Sequence, residues 1–110
     1  METPVLLLLS RDLLAVGRVE AVAASAGWSV LVQDPKSDSG RDATPELIVV
    51  DLDSVGEQGL SNIELRGRTV GFFSHVDESL GRAAEQAGIE VWPRGRFWRE
   101  LPTILELPRR

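Results

Sequence analysis

The chain contains no cysteine, so disulfides, thiolate metal sites and cysteine nucleophiles are excluded. That absence fits a cytoplasmic protein, because disulfides belong to oxidising compartments. Histidine is nearly missing as well. His75 is the only one, and it has no second His and no Cys with which to build a metal site. Positive charge is in deficit: 12 Lys and Arg against 17 Asp and Glu leave a net charge of −5. A nucleic-acid binder shows a basic field, so direct DNA or RNA binding is not expected. No apolar run is long enough to span a membrane. The run in "METPVLLLLS" is short, has no basic segment before it, and meets Arg11 and Asp12 at once. It reads as a buried strand, and no membrane partner is expected. No glycine-rich phosphate loop follows it, so a nucleotide-binding Rossmann reading is poor.

What is present suits one core. Over 110 residues, 43% are hydrophobic, and a single domain covering residues 1–110 is expected. Val5 to Leu9 is an unbroken apolar strand, covered on both faces. Leu13, Leu14, Val16, Val19, Val22 and Ala23 then recur at helical spacing up to Gly27. Mid-helix Gly17 is most simply explained by close packing. "WSVLVQD" is a second strand. The segment from Lys36 to Thr44 is polar, shows no long helix face, and reads as the most mobile part.

Leu47 to Val50 is the third strand. Val55, Leu60, Ile63 and Leu65 anchor the stretch after it, in which Gly56 and Gly59 weaken a helix at its start. "TVGFFS" is the fourth strand. A helix follows, capped by Asp77, lined by Leu80, Ala83, Ala84 and Ala87, and stopped at Gly88. "IEVW" is the fifth strand. The last helix turns Leu101, Ile104 and Leu105 inward. Pro102 is tolerated in a first turn, so that helix is expected to start near Phe97 or Trp98. Strands alternating with helices predict a three-layer α/β fold with a five-stranded parallel sheet in the order 2-1-3-4-5. The second helix of this order, in the polar stretch between the second and third strands, is expected to be short or absent.

In an open parallel sheet the working site lies beyond the C-terminal strand ends. Those ends carry Ser10, Arg11 and Asp12, then Asp51 and Asp53, then Ser74 and His75, then Pro93, Arg94 and Arg96. Asp51 reads either as a strand-end acid satisfied by Arg11 or Arg94, or as a reactive carboxylate. Asp53 reads as a turn residue. Ser74 with Asp77 resembles a helix-capping arrangement, and His75 reads as a surface group at a helix start. Trp92 and Trp98 flank "PRGRF". One is expected in the core. The other, exposed beside arginines, suits a protein contact.

At these strand ends the chain resembles the receiver domain of two-component response regulators, a flavodoxin/CheY-like fold. "LIVVD" places Asp51 at the phosphoacceptor position, and "GFFS" places Ser74 at the hydroxyl position. The family's acidic pair falls on Ser10 and Arg11, and the nearest acid, Asp12, comes one residue late. The family's lysine falls on Arg94, with Pro93 before it instead of after. The resemblance implies that phosphorylation requires Mg²⁺ held by hard oxygen ligands, including the acidic pair. Arg11 puts a positive charge beside that position and can pair with Asp51 instead.

The expectation is therefore a non-enzymatic, phosphorylation-independent receiver-like module that signals by binding protein, with no cofactor. One alternative is a working phosphoacceptor that uses Asp12, Asp51 and Asp53 with Mg²⁺. Another is a small enzyme with Asp51, Ser74 and His75 at the strand ends. The resemblance also implies an interaction face built by the helix between the fourth and fifth strands, the fifth strand and the last helix. Trp92, Arg96 and Trp98 are expected there, contacting a protein partner or a second copy.

Overall fold

The computed structural model describes residues 3–35, 44–64, 67–74 and 78–106. Along the chain, β1 (Val5–Leu9) is followed by α1 (Leu13–Ser25), β2 (Ser29–Gln33), β3 (Leu47–Asp51) and α2 (Leu52–Gly59). A 3₁₀ turn at Leu60–Asn62, β4 (Arg68–Phe73), α3 (Glu78–Gln86), β5 (Glu90–Pro93) and α4 (Arg94–Ile104) complete it. The five strands form one parallel sheet in the order β2-β1-β3-β4-β5. This is the order expected from the strand–helix alternation.

The continuous apolar runs become inner strands because both of their faces are covered. On one face Leu6, Leu8, Val49, Val70 and Phe72 meet Val19 and Ala23 of α1 and Phe97 and Leu101 of α4. On the other, Leu7, Ile48 and Val50 meet Leu52 of α2 and Leu80 and Ala84 of α3. Phe72 and Phe97 stack with centroids 4.6 Å apart, and Trp98 lies 5.3 Å from Phe72 and 5.0 Å from Phe97. Trp28 is buried and donates Nε1–H to the Leu105 carbonyl at 3.0 Å, pinning the end of α4.

Several expectations change. Leu13 and Leu14 do not face the core: they are 84% and 82% exposed. Asp12 sets the phase of α1 by accepting from the backbone N–H groups of Leu14 and Ala15. Ala15, Val19 and Ala23 then point at the sheet, and the two leucines point away. Gly17 is not closely packed, since a Cβ there meets nothing within 4 Å. α2 begins at once after β3, and Gly56 (φ 73°) takes the kink inside it. Neither Trp92 nor Trp98 is exposed: both are partly buried against the core.

The last helix starts at Arg94, not near Phe97, so Pro102 lies inside it. Pro102 removes one backbone hydrogen bond. The spacing of Phe97, Leu101 and Ile104, all buried, holds the helix together regardless. Leu65, His75, Asp77 and the stretch 36–43 lie outside the described residues, and so do the expectations made for them. Among the described residues no helix is long and apolar enough to cross a membrane.

Replacing the exposed Pro102 with Ala restores that hydrogen bond. We expect about 1–3 kcal/mol of added stability, read from the urea midpoint; a loss contradicts the account of α4. At the N-terminal ends of β4 and β5, Arg68 grips Glu90 with two bonds, Nε to Oε2 at 2.6 Å and Nη2 to Oε1 at 2.9 Å. The hydrogen bonding from Arg68 holds the Glu90 carboxyl below its ordinary pKa, against the opposing effect of burial. A carboxyl depressed in the folded state adds stability above its unfolded pKa, and that gain fades as pH falls through the folded value. Glu90→Gln is therefore expected to destabilise by up to about 1 kcal/mol at neutral pH. Acid melts should show the difference vanishing.

Candidate functional site

The site forms where β1, β3, β4 and β5 end. Leu9 is in register with Val50, so Ser10 comes beside Asp51. Asp51 is the last residue of β3, and α2 follows without a turn. Its side chain is therefore carried into the interior, with 1% of its surface exposed. A buried carboxylate needs partners. Asp51 Oδ2 has two: the hydroxyls of Ser10 at 2.8 Å and Ser54 at 3.0 Å donate to it. Among the described residues none donates a hydrogen bond to Oδ1. It faces Arg94 Nη2 at 3.6 Å, an ion-pair distance beyond hydrogen-bond range.

Arg94 is placed by Pro93, whose φ of −59° ends β5 and lets α4 start on the next residue. Its guanidinium reaches three carboxylates, each at 3.6 Å: Asp12 Oδ2, Asp51 Oδ1 and Asp53 Oδ2. It also lies over the Phe72 ring, 5.2 Å from the centroid. The lower face of this arginine is thus apolar and its edge is acidic.

The other site residues are spent on one another. The Ser10 hydroxyl accepts from the Asp12 backbone N–H at 3.0 Å while it donates to Asp51. Asp12 Oδ1 caps α1, which leaves Oδ2 for Arg94. Asp53 is no simple turn residue. It sits in the first turn of α2 and accepts from the Ser74 backbone N–H at 3.2 Å, so it ties the end of β4 to the cluster. Arg11 points elsewhere: its Nη2 donates to the Ser54 carbonyl at 2.6 Å, and its Nε lies 3.9 Å from Asp34. Of the two arginines expected near Asp51, Arg94 is the one that reaches it. His75 lies outside the described residues. Arg96 lies over the Trp92 ring at 5.2 Å, away from the acids.

Ser54 was missed by sequence reasoning. Its signal is a hydroxyl three residues beyond Asp51, the spacing that folds back onto the start of a helix. Its Oγ also accepts from the Arg11 N–H at 3.1 Å, so it couples the two loops.

Mg²⁺ demands near-octahedral hard oxygen ligands. Here Ser10 offers a hydroxyl and directs its proton at Asp51. Asp12 is divided between a helix cap and Arg94, and a guanidinium already lies against all three acids. Among the described residues no group of three or more His, Cys, Asp or Glu is arranged to hold a metal ion. As arranged, the donor set does not fit Mg²⁺.

No known family's sequence profile matches the chain. Nor does any curated protein match it in sequence. Solved structures do match. NtrX from Brucella abortus, determined in complex with ADP, superposes with a TM-score of 0.77 at 16% identity. The match covers 96% of this chain but only 26% of that one. A response regulator from Thermotoga maritima gives 0.73 at 16% identity over 96% of both chains. The chain has the fold of response-regulator receiver domains. The phosphorylated cyanobacterial phytochrome response regulator RcpA gives 0.73 at 13% identity, covering 96% of this chain and 93% of its own. At these identities the likeness fixes the fold and its strand ends, and the chemistry rests on this chain's own residues.

Arg94 should thus be the residue that keeps a buried Asp51 tolerable. Arg94→Met is expected to destabilise by about 1–3 kcal/mol at neutral pH, because it strands the buried acid. Adding Asp51→Asn should recover most of that loss. A double-mutant cycle in chemical denaturation measures the coupling, and additive effects contradict it.

Proposed function

We propose that this chain is a receiver-like signalling module that acts by binding protein, without phosphorylation, without a metal cofactor and without enzymatic turnover. One observation carries the reading: the Arg94 guanidinium lies 3.6 Å from each of Asp12, Asp51 and Asp53. A phosphoryl group on Asp51 brings more negative charge into a cluster of acids, which a divalent cation ordinarily neutralises. Here a fixed cation takes that role. The planar guanidinium meets all three carboxylates together.

The proposed contact face is that of α3, β5 and α4. It holds an open groove of about 430 Å³ with an apolar floor of Phe73, Val91 and Pro93 and a charged rim of Glu78, Arg82 and Glu85. Trp92 and Trp98 pack on the opposite face of the sheet, against the core under α1 and α4, and Arg96 covers Trp92. Protein contacts are built this way, with apolar centres and polar rims. The cysteine-free composition fits the cytoplasm as the working compartment.

The working phosphoacceptor has one observation in its favour. No described residue donates a hydrogen bond to Asp51 Oδ1, which leaves one oxygen of a buried carboxylate for chemistry. Incubation with Mg²⁺ and a small acyl phosphate, read by intact mass, separates the two readings. We expect the native chain to gain no phosphoryl group, and Ser10→Asp combined with Arg94→Lys to gain Mg²⁺ binding. Mg²⁺-dependent phosphorylation of native Asp51 selects the second reading.

A further inference from the structure

α1 has thirteen residues and only two charges, Arg18 and Glu20. A surface helix ordinarily turns a polar face to water, and a helix that is apolar all round is buried. α1 follows neither pattern. Ala15, Val19 and Ala23 face the sheet. On the outer side Leu13, Gly17, Ala21 and Ala24 recur at helical spacing with Leu14 beside them, all exposed. Leu13 and Leu14 are the most exposed large apolar side chains described, at 84% and 82%. Gly17 adds an independent observation. A glycine inside a helix weakens it relative to alanine, and no contact among the described residues accounts for one here.

We propose that this outer stripe of α1 is the contact surface for a second copy of the chain. In the proposed dimer, two α1 helices run side by side about a two-fold axis parallel to their length. The charges select this occupant. Arg18 lies on the flank nearest α4, with its guanidinium 4.5 Å from the Trp98 ring centroid. Glu20, two residues on, lies on the opposite flank of the stripe. A two-fold axis along the helices brings the Arg18 flank of one copy to the Glu20 flank of the other, twice. An antiparallel pair sets like flanks together and opposes like charges. Gly17 and Ala21, one turn apart, let the backbones approach closely, and Leu13 and Leu14 close the contact at one end. The stripe is separate from the Arg94 cluster and from the groove beside α3, so the dimer and the proposed function stand or fall independently.

Sedimentation equilibrium over a concentration series tests the pairing. The native chain is expected to rise from monomer mass toward twice that mass. Leu14→Lys, on an exposed position, should weaken association by at least about tenfold, with an unchanged melting temperature at concentrations where both chains are monomeric. Arg18→Glu and Glu20→Arg chains should each associate poorly alone, and an equal mixture of the two should recover dimers, because both cross-pairs are then opposite in sign. The proposal is overturned by a native chain that stays monomeric throughout, including one whose α1 binds a different protein. A dimer indifferent to Leu14→Lys overturns it, and so does a mixture no better associated than its components.

Discussion

The buried carboxylate of Asp51 is the constraint to which the strand ends are fitted. An acid with 1% of its surface exposed needs compensation. It receives two hydroxyl donors on one oxygen and a guanidinium facing the other. The groups that compensate it come from three separate elements. Ser10 belongs to the end of β1, Ser54 to α2 and Arg94 to the start of α4. The same contacts therefore join the two helical layers across the top of the sheet. Arg94 bridges Asp12, which caps α1, and Asp53, which holds the end of β4. The charge cluster and the packing are thus one unit, with the Phe72 ring beneath the guanidinium and stacked on Phe97 of α4.

That coupling makes the arginine chemically different from a lysine in the same place. A lysine carries a compact, strongly hydrated charge on a flexible stem. Arg94 spreads its charge over a plane that meets three acids and an aromatic face together. Moving it exposes the acids to one another and strips a cation from the Phe72 ring.

The sheet was legible because its evidence is repeated. Five short apolar runs, each bounded by turn residues, leave few alternatives once parallel crossovers are required. Helix faces were less so. Leu13 and Leu14 look like core residues by spacing, yet the phase of α1 is set by the cap at Asp12, and α1 has too little polar sequence to show which side is out. The start of α4 is hidden in the sequence because the burial of Phe97 and Leu101 overrides the local cost of Pro102. In the site, the acids and Arg94 could be read from their places after the strands. Choosing Arg94 over Arg11 could not. Both follow strand ends, and only three-dimensional geometry sends Arg11 to Ser54 and Asp34. Ser54 was invisible for a similar reason: a serine at a helix start has an ordinary local role.

The central claim is that Arg94 fills the cation's place at Asp51. A crystal structure of the native chain grown in excess magnesium tests it most directly. The account predicts Arg94 still against Asp12, Asp51 and Asp53, with no metal on Asp51 Oδ1. A magnesium ion bound to Asp51, with Arg94 swung out to solvent, would contradict it.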